Sequence, residues 1–385
     1  MRILSYAVTA GLLAIGVLSL AVGIINATSP GGSKDFQWSI ARYLLNHENP
    51  YRLFLEYRAG RLLSSPFVAS EIPVYPASSE VFLWPLATLD YAMATRIWAG
   101  LNGIFAIGCA FLAARIADLR GPVVLCLIGL FLASTPVRNT IGNGQQGLWS
   151  LFFLLSAVYC QQRKKWALAG FLLATSWLKY TITAPLSLIF IRPGSRATIG
   201  VAIGTHVALT LFISFWLQDN PFRILASAFL LSDTAQSAST FDVMAIASYL
   251  GARSLAWSAP IGIALFLAGA IYARSGDRDI EVLSLLAMVS LLWSYHWQYD
   301  YFVLVIPLAY ALKRWSDGTV EFSDLGIGAA VILIWFVQRV LDSAILRFPA
   351  EHLLVALDRG VFWLTCFVLY ATLFCYMFAA KNRAS

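Results

Sequence analysis

Apolar runs long enough to approach or cross a bilayer recur along this chain, and they leave few architectures open to it. A helical span needs about 20 apolar residues. Candidate runs lie at 3–26, 92–116, 121–137, 147–160, 166–179, 181–191, 197–217, 256–273, 280–295, 299–312, 323–341 and 355–379. Charged residues make up only 12% of the chain, against about 25% in a soluble domain. The expected fold is an all-α polytopic membrane protein of about 10–12 transmembrane helices, because helices satisfy their own backbone in lipid. A single transmembrane domain is expected over 1–385. Residues 3–25 form too long an apolar run for a signal peptide and read as a retained anchor.

Loop charge orients these runs. Arg2, Arg115 and Arg120, Arg163 to Lys165, Arg192 and Arg196, Arg274 and Arg278, Lys313 and Arg314, and Lys381 and Arg383 all share one side if 166–191 crosses twice or dips in and returns. The positive-inside rule puts that side in the cytoplasm. The net charge of +7 then needs no nucleic-acid partner. Residues 27–91, 138–146, 218–255, 296–298 and 342–354 fall on the other side. The first of these holds Glu71, Tyr75-Pro76 and Glu80.

That first interval opens with Ser33-Lys34-Asp35-Phe36, and the spacing of Phe36, Ile40, Tyr43 and Leu44 predicts a short amphipathic helix along the membrane surface. Ser33 is the expected N-cap and Asn49-Pro50 the stop. Asp35 then has two readings: a charge favoured by the helix end, or a catalytic base at the membrane boundary. Ionisable residues at membrane depth are the other pointers. Lys179 lies between two apolar runs, at the tip of a broken pair, where it either snorkels or meets an anion. His296 sits between Trp293 and Trp297, as an interfacial histidine or a ligand-binding one. Arg339 is an anchor or an anion partner, and Gln145 a helix cap or a ligand contact.

The five cysteines lie in apolar runs without metal spacing and read as small core residues. No Walker loop, zinc-ligand spacing or Gly-x-Ser-x-Gly elbow occurs. No Asp-x-Asp pair invites a metal, and no cofactor is expected.

These residues together carry a resemblance. Lys34-Asp35-Phe36 with Asn49-Pro50-Tyr51 resembles the first outer loop of glycosyltransferase family 87, membrane enzymes of the GT-C superfamily that use polyprenyl-phosphate sugars. Tyr75-Pro76, Trp84-Pro85-Leu86 and Arg96-Ile97-Trp98 resemble its tyrosine-proline and aromatic blocks. Gly144-Gln145, Ala169-Gly170 and Lys179 resemble its glycine-glutamine and lysine blocks, and Tyr295-His296-Trp297-Gln298 its late histidine turn. The likeness runs over about residues 30–310. It departs at Tyr75-Pro76-Ala77, where the family often has Tyr-Pro-Pro.

The resemblance implies a GT-C-like helical bundle in the inner (plasma) membrane, with the active site facing the extracytoplasmic side on the 27–91 loop. It implies transfer of a sugar, mannose above others, from a polyprenyl phosphate donor to an envelope lipid or glycan acceptor, with inversion. Asp35 becomes the general base. Lys179, His296 and Arg339 become the donor-phosphate partners, and Tyr75, Gln145 and Tyr51 the substrate-binding residues. A flippase or transporter of a lipid-linked sugar is the rival class, and it needs no base at Asp35.

Overall fold

The computed structural model describes residues 2–68, 71–232, 278–291 and 298–337. All regular structure among the described residues is helical, and the chain is an all-α membrane protein. Helices α1 (Arg2–Thr28), α6 (Tyr91–Ile116) and α12 (Arg196–Leu217) are long and apolar enough to cross a bilayer singly. The expected runs 256–273 and 355–379 lie outside the described residues.

Two units are described separately. The first comprises residues 1–19, 110–137 and 240–385. Here α1 meets α7 (Pro122–Ala133) closely: a Cβ on Gly16 would lie 2.9 Å from the Gly129 carbonyl oxygen, so only glycine permits the approach. The run 121–137 does not continue as one helix. Ser134 turns to extended backbone, and a new helix starts at Thr135 with Pro136 in its first turn, where the missing N–H does no harm. The same unit carries later helices at Asp279–Ser290, Val305–Ser316 and Phe322–Ile332. Trp335 is buried there, donating from Nε1 to the Tyr301 carbonyl at 2.9 Å.

The second unit, residues 20–109 and 138–239, holds the chemistry-bearing residues. It contains α2 (Trp38–Leu45), α3 (Pro50–Arg58), two short helices α4 (Ala77–Glu80) and α5 (Trp84–Ala87), α6, α9 (Gly147–Gln162), α10 (Trp166–Ser176), α11 (Tyr180–Ser187), α12 and α13 (Pro221–Ser232). The segment 166–191 turns back on itself at Lys179. Gln161, at one end of α9, donates to the Gly194 carbonyl at 3.1 Å and accepts from the Thr198 hydroxyl, so the loops before α10 and after α11 share a level. Lys179, between them, lies at the other end of α9, where its backbone N–H donates to Ser150 Oγ at 2.9 Å.

The first outer loop departs from expectation in three ways. Helix α2 begins at Trp38, and Ser33 does not cap it. Ser33 adopts the left-handed φ of 49°, and its N–H donates to the Gly142 carbonyl at 3.0 Å, so a tertiary backbone bond overrides the local capping signal. Asn49-Pro50 starts a helix rather than stopping one. Asn49 Oδ1 accepts from Tyr51 and Arg52 N–H at 3.0 and 3.2 Å, with Pro50 in the first turn where its missing donor does no harm. Nor does the apolar face of α2 lie against lipid. Ile40 and Leu44 are sealed among Tyr51, Phe54, Ile213 and Ile224, while Phe36 stacks on Trp98 at 5.2 Å. Burying such side chains stabilises by about 1.5–3 kcal/mol each, which favours a protein partner wherever one is within reach.

The elbow between α2 and α3 is latched to the end of α12. His47 stacks on Trp216 at 3.8 Å, and Trp216 Nε1 donates to the Leu44 carbonyl at 2.9 Å. Asn49 Nδ2 donates to Asp219 Oδ2 at 3.0 Å.

Candidate active site

Asp35 stands in the turn before α2 rather than in its first turn, so the helix-end reading of its charge does not apply. Two backbone bonds hold it against the 142–146 loop. Ser33 N–H meets the Gly142 carbonyl, and Asp35 N–H meets the Asn143 carbonyl at 2.9 Å. Gly144 makes this clasp possible. Its φ is 68°, and a Cβ there would come within 2.9 Å of Ser33 Cβ and 3.0 Å of Phe36 Cβ. Trp98 Nε1 fixes the Gly144 carbonyl from α6 at 2.8 Å.

The clasp delivers the Asp35 side chain to Gln145. The Gln145 Nε2 donates to Asp35 Oδ2 at 2.5 Å, and Gln145 Oε1 accepts from Lys179 Nζ at 3.0 Å. A carboxylate only accepts and an ammonium only donates, so a single orientation of the amide serves both. Gln145 is therefore not a cap of α9. The cap position is Gln146, whose side chain makes no capping bond to the helix. Gln146 Nε2 instead donates to the Asp35 carbonyl at 2.9 Å.

Lys179 is buried, and its position depends on a break in helical hydrogen bonding that the surroundings repair. A helix end leaves carbonyls without intrahelical donors, which is costly at membrane depth. At the end of α10 each of four consecutive carbonyls receives a side-chain donor from elsewhere. His206 Nε2 on α12 reaches Ala174 at 2.9 Å, and Trp149 Nε1 on α9 reaches Thr175 at 3.1 Å. Thr183 Oγ1 on α11 reaches Ser176 at 3.0 Å, and Ser79 Oγ on α4 reaches Trp177 at 3.2 Å. With Nε2 donating, His206 accepts at Nδ1 from the Ser78 hydroxyl at 3.0 Å, while its ring stacks on Trp177 at 5.1 Å. Sequence reading passed over His206, although an ionisable residue inside the run 197–217 was the signal for it.

Two carboxyls flank the site. Glu71 Oε1 accepts from the Ser39 N–H at 3.3 Å; its Oε2 is buried without a hydrogen-bond partner. Burial pushes the Glu71 carboxyl up to about 8; the Ser39 contacts oppose this, and the charge of Asp35 adds a smaller upward push. Both oxygens of Glu80 are buried without a partner, and burial foremost, then the charge of Glu71, raises its carboxyl well above the usual range. The Tyr51 hydroxyl donates to the Tyr75 carbonyl at 2.5 Å, which ties α3 to the turn entering α4.

Of the sequence-selected residues, the structure thus joins Asp35, Gln145 and Lys179, and separately joins Tyr51 to Tyr75. His296 and Arg339 lie outside the described residues. No group of three or more metal-ligating side chains occurs among the described residues.

A carboxylate, an amide and a buried lysine on rigid supports suit proton removal beside an anion. No curated protein and no solved structure matches this chain. The sequence profile of glycosyltransferase family 87 matches residues 74–294, a stretch that contains Tyr75, Gln145 and Lys179 and begins after Asp35. That match covers more than half of the chain, which is therefore a membrane protein belonging to glycosyltransferase family 87.

Proposed function

We propose that the chain transfers mannose from a polyprenyl phosphate donor to a lipid or glycan acceptor of the cell envelope, inverting the anomeric carbon. The observation that carries this reading is the Asp35–Gln145–Lys179 relay of hydrogen bonds. Asp35 accepts the proton of the acceptor hydroxyl as its oxygen attacks C1 of the donor sugar. The bond from C1 to the phosphate oxygen breaks, and the polyprenyl phosphate departs with the electron pair. Lys179 steadies that phosphate, one amide away from the base, so proton acceptor and anion partner keep a set separation. His296 and Arg339, outside the described residues, are the further phosphate partners that the family resemblance implies. The side chain of Tyr75 faces the substrate, with Tyr51 anchoring its backbone. One carboxylate suffices for a single inversion, unlike the carboxylate pair of a hydrolase.

The proposed setting is the inner membrane. Arg163, Lys164, Lys165, Arg192 and Arg196 lie at the end of α9 remote from Lys179, and the positive-inside rule would place them in the cytoplasm and Asp35 outside.

Purified Asp35→Asn, assayed with polyprenyl phosphate sugars and an envelope extract, is the test. The amide keeps the size and the contact to Gln145 but accepts no proton at neutral pH. Turnover should fall by about two to four orders of magnitude while donor binding persists. Wild-type rates in the variant would remove Asp35 as the base. Donor translocation without product would favour a flippase.

A further inference from the structure

The groups around the backbone of Asp35 include oxygens that nothing in the protein satisfies. Gln37 Nε2 and Gln146 Nε2 both donate to the Asp35 carbonyl, at 3.4 and 2.9 Å. With each nitrogen engaged on an acceptor, the amide orientations are set, and each Oε1 faces away from that bond as an acceptor. Gln37 Oε1 and Gln146 Oε1 are both buried with no hydrogen-bond partner, and so is Glu71 Oε2. These three residues are at most 3% exposed. Leaving such a buried group unsatisfied is costly, and three in one neighbourhood is the pattern of a site that waits for a ligand.

The kind of atom selects the ligand. Amide oxygens must be met by donors, which excludes a phosphate ester, because its oxygens only accept. An ammonium group donates but cannot accept, whereas Glu71, held up to about 8, carries a proton at neutral pH and offers it from the oxygen that Ser39 does not occupy. Hydroxyls both donate and accept, so two neighbouring hydroxyls of a saccharide serve all three groups: one donates to each amide oxygen, and either accepts from Glu71. We propose that Gln37, Gln146 and Glu71 form a hydroxyl-binding subsite for the saccharide acceptor, on the carbonyl side of Asp35 and distinct from the phosphate partner Lys179. The proposal rests on the transferase reading and deepens it. The phosphate lies beyond Gln145, and the acceptor lies where its hydroxyl reaches the base.

The full-length protein in lipid nanodiscs, free of maltoside detergent that would compete, allows a direct test by titration calorimetry. The probes are octyl α-mannoside, octyl β-glucoside and octyl β-galactoside below their micelle concentrations, with octyl phosphate as the anionic counterpart. At least one octyl glycoside should saturate the wild type. Glu71→Gln and Gln146→Met should each weaken it by about tenfold, as expected for loss of a hydroxyl contact, and leave octyl phosphate binding in place. Lys179→Ala should do the reverse. The proposal is overturned if no octyl glycoside saturates, if both variants bind it as the wild type does (bound water alone then satisfies these groups), or if each variant loses both ligands together. Binding is read here without turnover and the Asp35→Asn test reads turnover, so failure of the subsite and failure of the transferase reading are told apart.

Discussion

The broken end of α10 and the surroundings of Asp35 meet at Gln145, and they treat buried polar groups in opposite ways. At the α10 end, the four carbonyls from Ala174 to Trp177 each have a side-chain donor, drawn from four different helices. Around Asp35, oxygens of Gln37, Glu71 and Gln146 are buried without partners, and Glu80 behind them has none on either oxygen. Both regions belong to one unit of the same chain, so the contrast is not one of general packing quality. Full satisfaction marks a scaffold, built to hold Lys179 still in a medium where a missing bond is costly. Incomplete satisfaction marks the place where another molecule supplies the missing partners.

The largest effect that would sharpen this contrast lies at the point where the two regions join. Lys179→Ala removes the cation but leaves the capped carbonyls untouched, since none of their donors is on Lys179. Donor use should fall by about 10- to 100-fold for every polyprenyl phosphate sugar tested, the size of one charge-assisted contact. Lys179→Arg should recover part of it, because the charge returns without the compact geometry. Initial rates against donor concentration, with two donor sugars, decide the matter. Intact rates and donor affinity in Lys179→Ala would make the lysine part of the scaffold alone.

A smaller effect concerns pH. Glu71 titrates near 8 in the folded protein and near 4.5 as an ordinary glutamate, with burial the leading cause. Asp35, Tyr43, Tyr91 and Glu80 lie within reach of its charge, and Ser39 contacts it directly. Between those two values the folded state holds a proton that the unfolded chain has released, so stability falls as pH rises through the window. Glu71→Gln lacks that proton. Its stability relative to wild type should therefore increase from about pH 5 to about pH 8 and level off above, by on the order of 4 kcal/mol. Parallel pH profiles for the two proteins, measured by thermal unfolding in nanodiscs, would place the Glu71 carboxyl in an ordinary, solvated setting.

How much of this was readable in the sequence depends on whether the signal was local. The membrane class followed from apolar runs and loop charge. That 166–191 turns back, by crossing twice or by dipping in, followed from Lys179 standing between two such runs, with basic residues at both outer ends. The partnership of Asp35 with Gln145 crosses 110 residues and leaves no local trace. Ser33 carries a strong local capping signal, yet its backbone is held in a left-handed turn by Gly142, and the capping expectation failed for that tertiary reason. Asn49-Pro50 is compatible with either end of a helix, and only the placement of α3 decides between them. The four donors to the end of α10 have no common spacing, because their identity is set by which helices surround the break.

The sharpest comparison comes from two adjacent residues on one short helix. Ser79 and Glu80 are both fully buried on α4, yet Ser79 gives its hydroxyl to the Trp177 carbonyl at 3.2 Å while neither oxygen of Glu80 has a partner. Ser79→Ala leaves that carbonyl without its side-chain donor and should lower stability by about 0.5–1.5 kcal/mol. Glu80→Met keeps much of the volume and removes a carboxyl that burial already holds neutral. Replacing an unpaired buried polar group by an apolar one of similar shape is neutral or stabilising, so this variant should match or exceed the wild type by up to about 1 kcal/mol. Unfolding midpoints of the three proteins in the same nanodiscs give the answer. Opposite signs from neighbouring positions cannot arise from a general loosening of α4, so they would tie the difference to hydrogen-bond satisfaction itself. Equal losses from both would mean that Glu80 is bonded after all in the folded protein, and the separation into scaffold and ligand-facing groups would fail at the residue where it is drawn most finely.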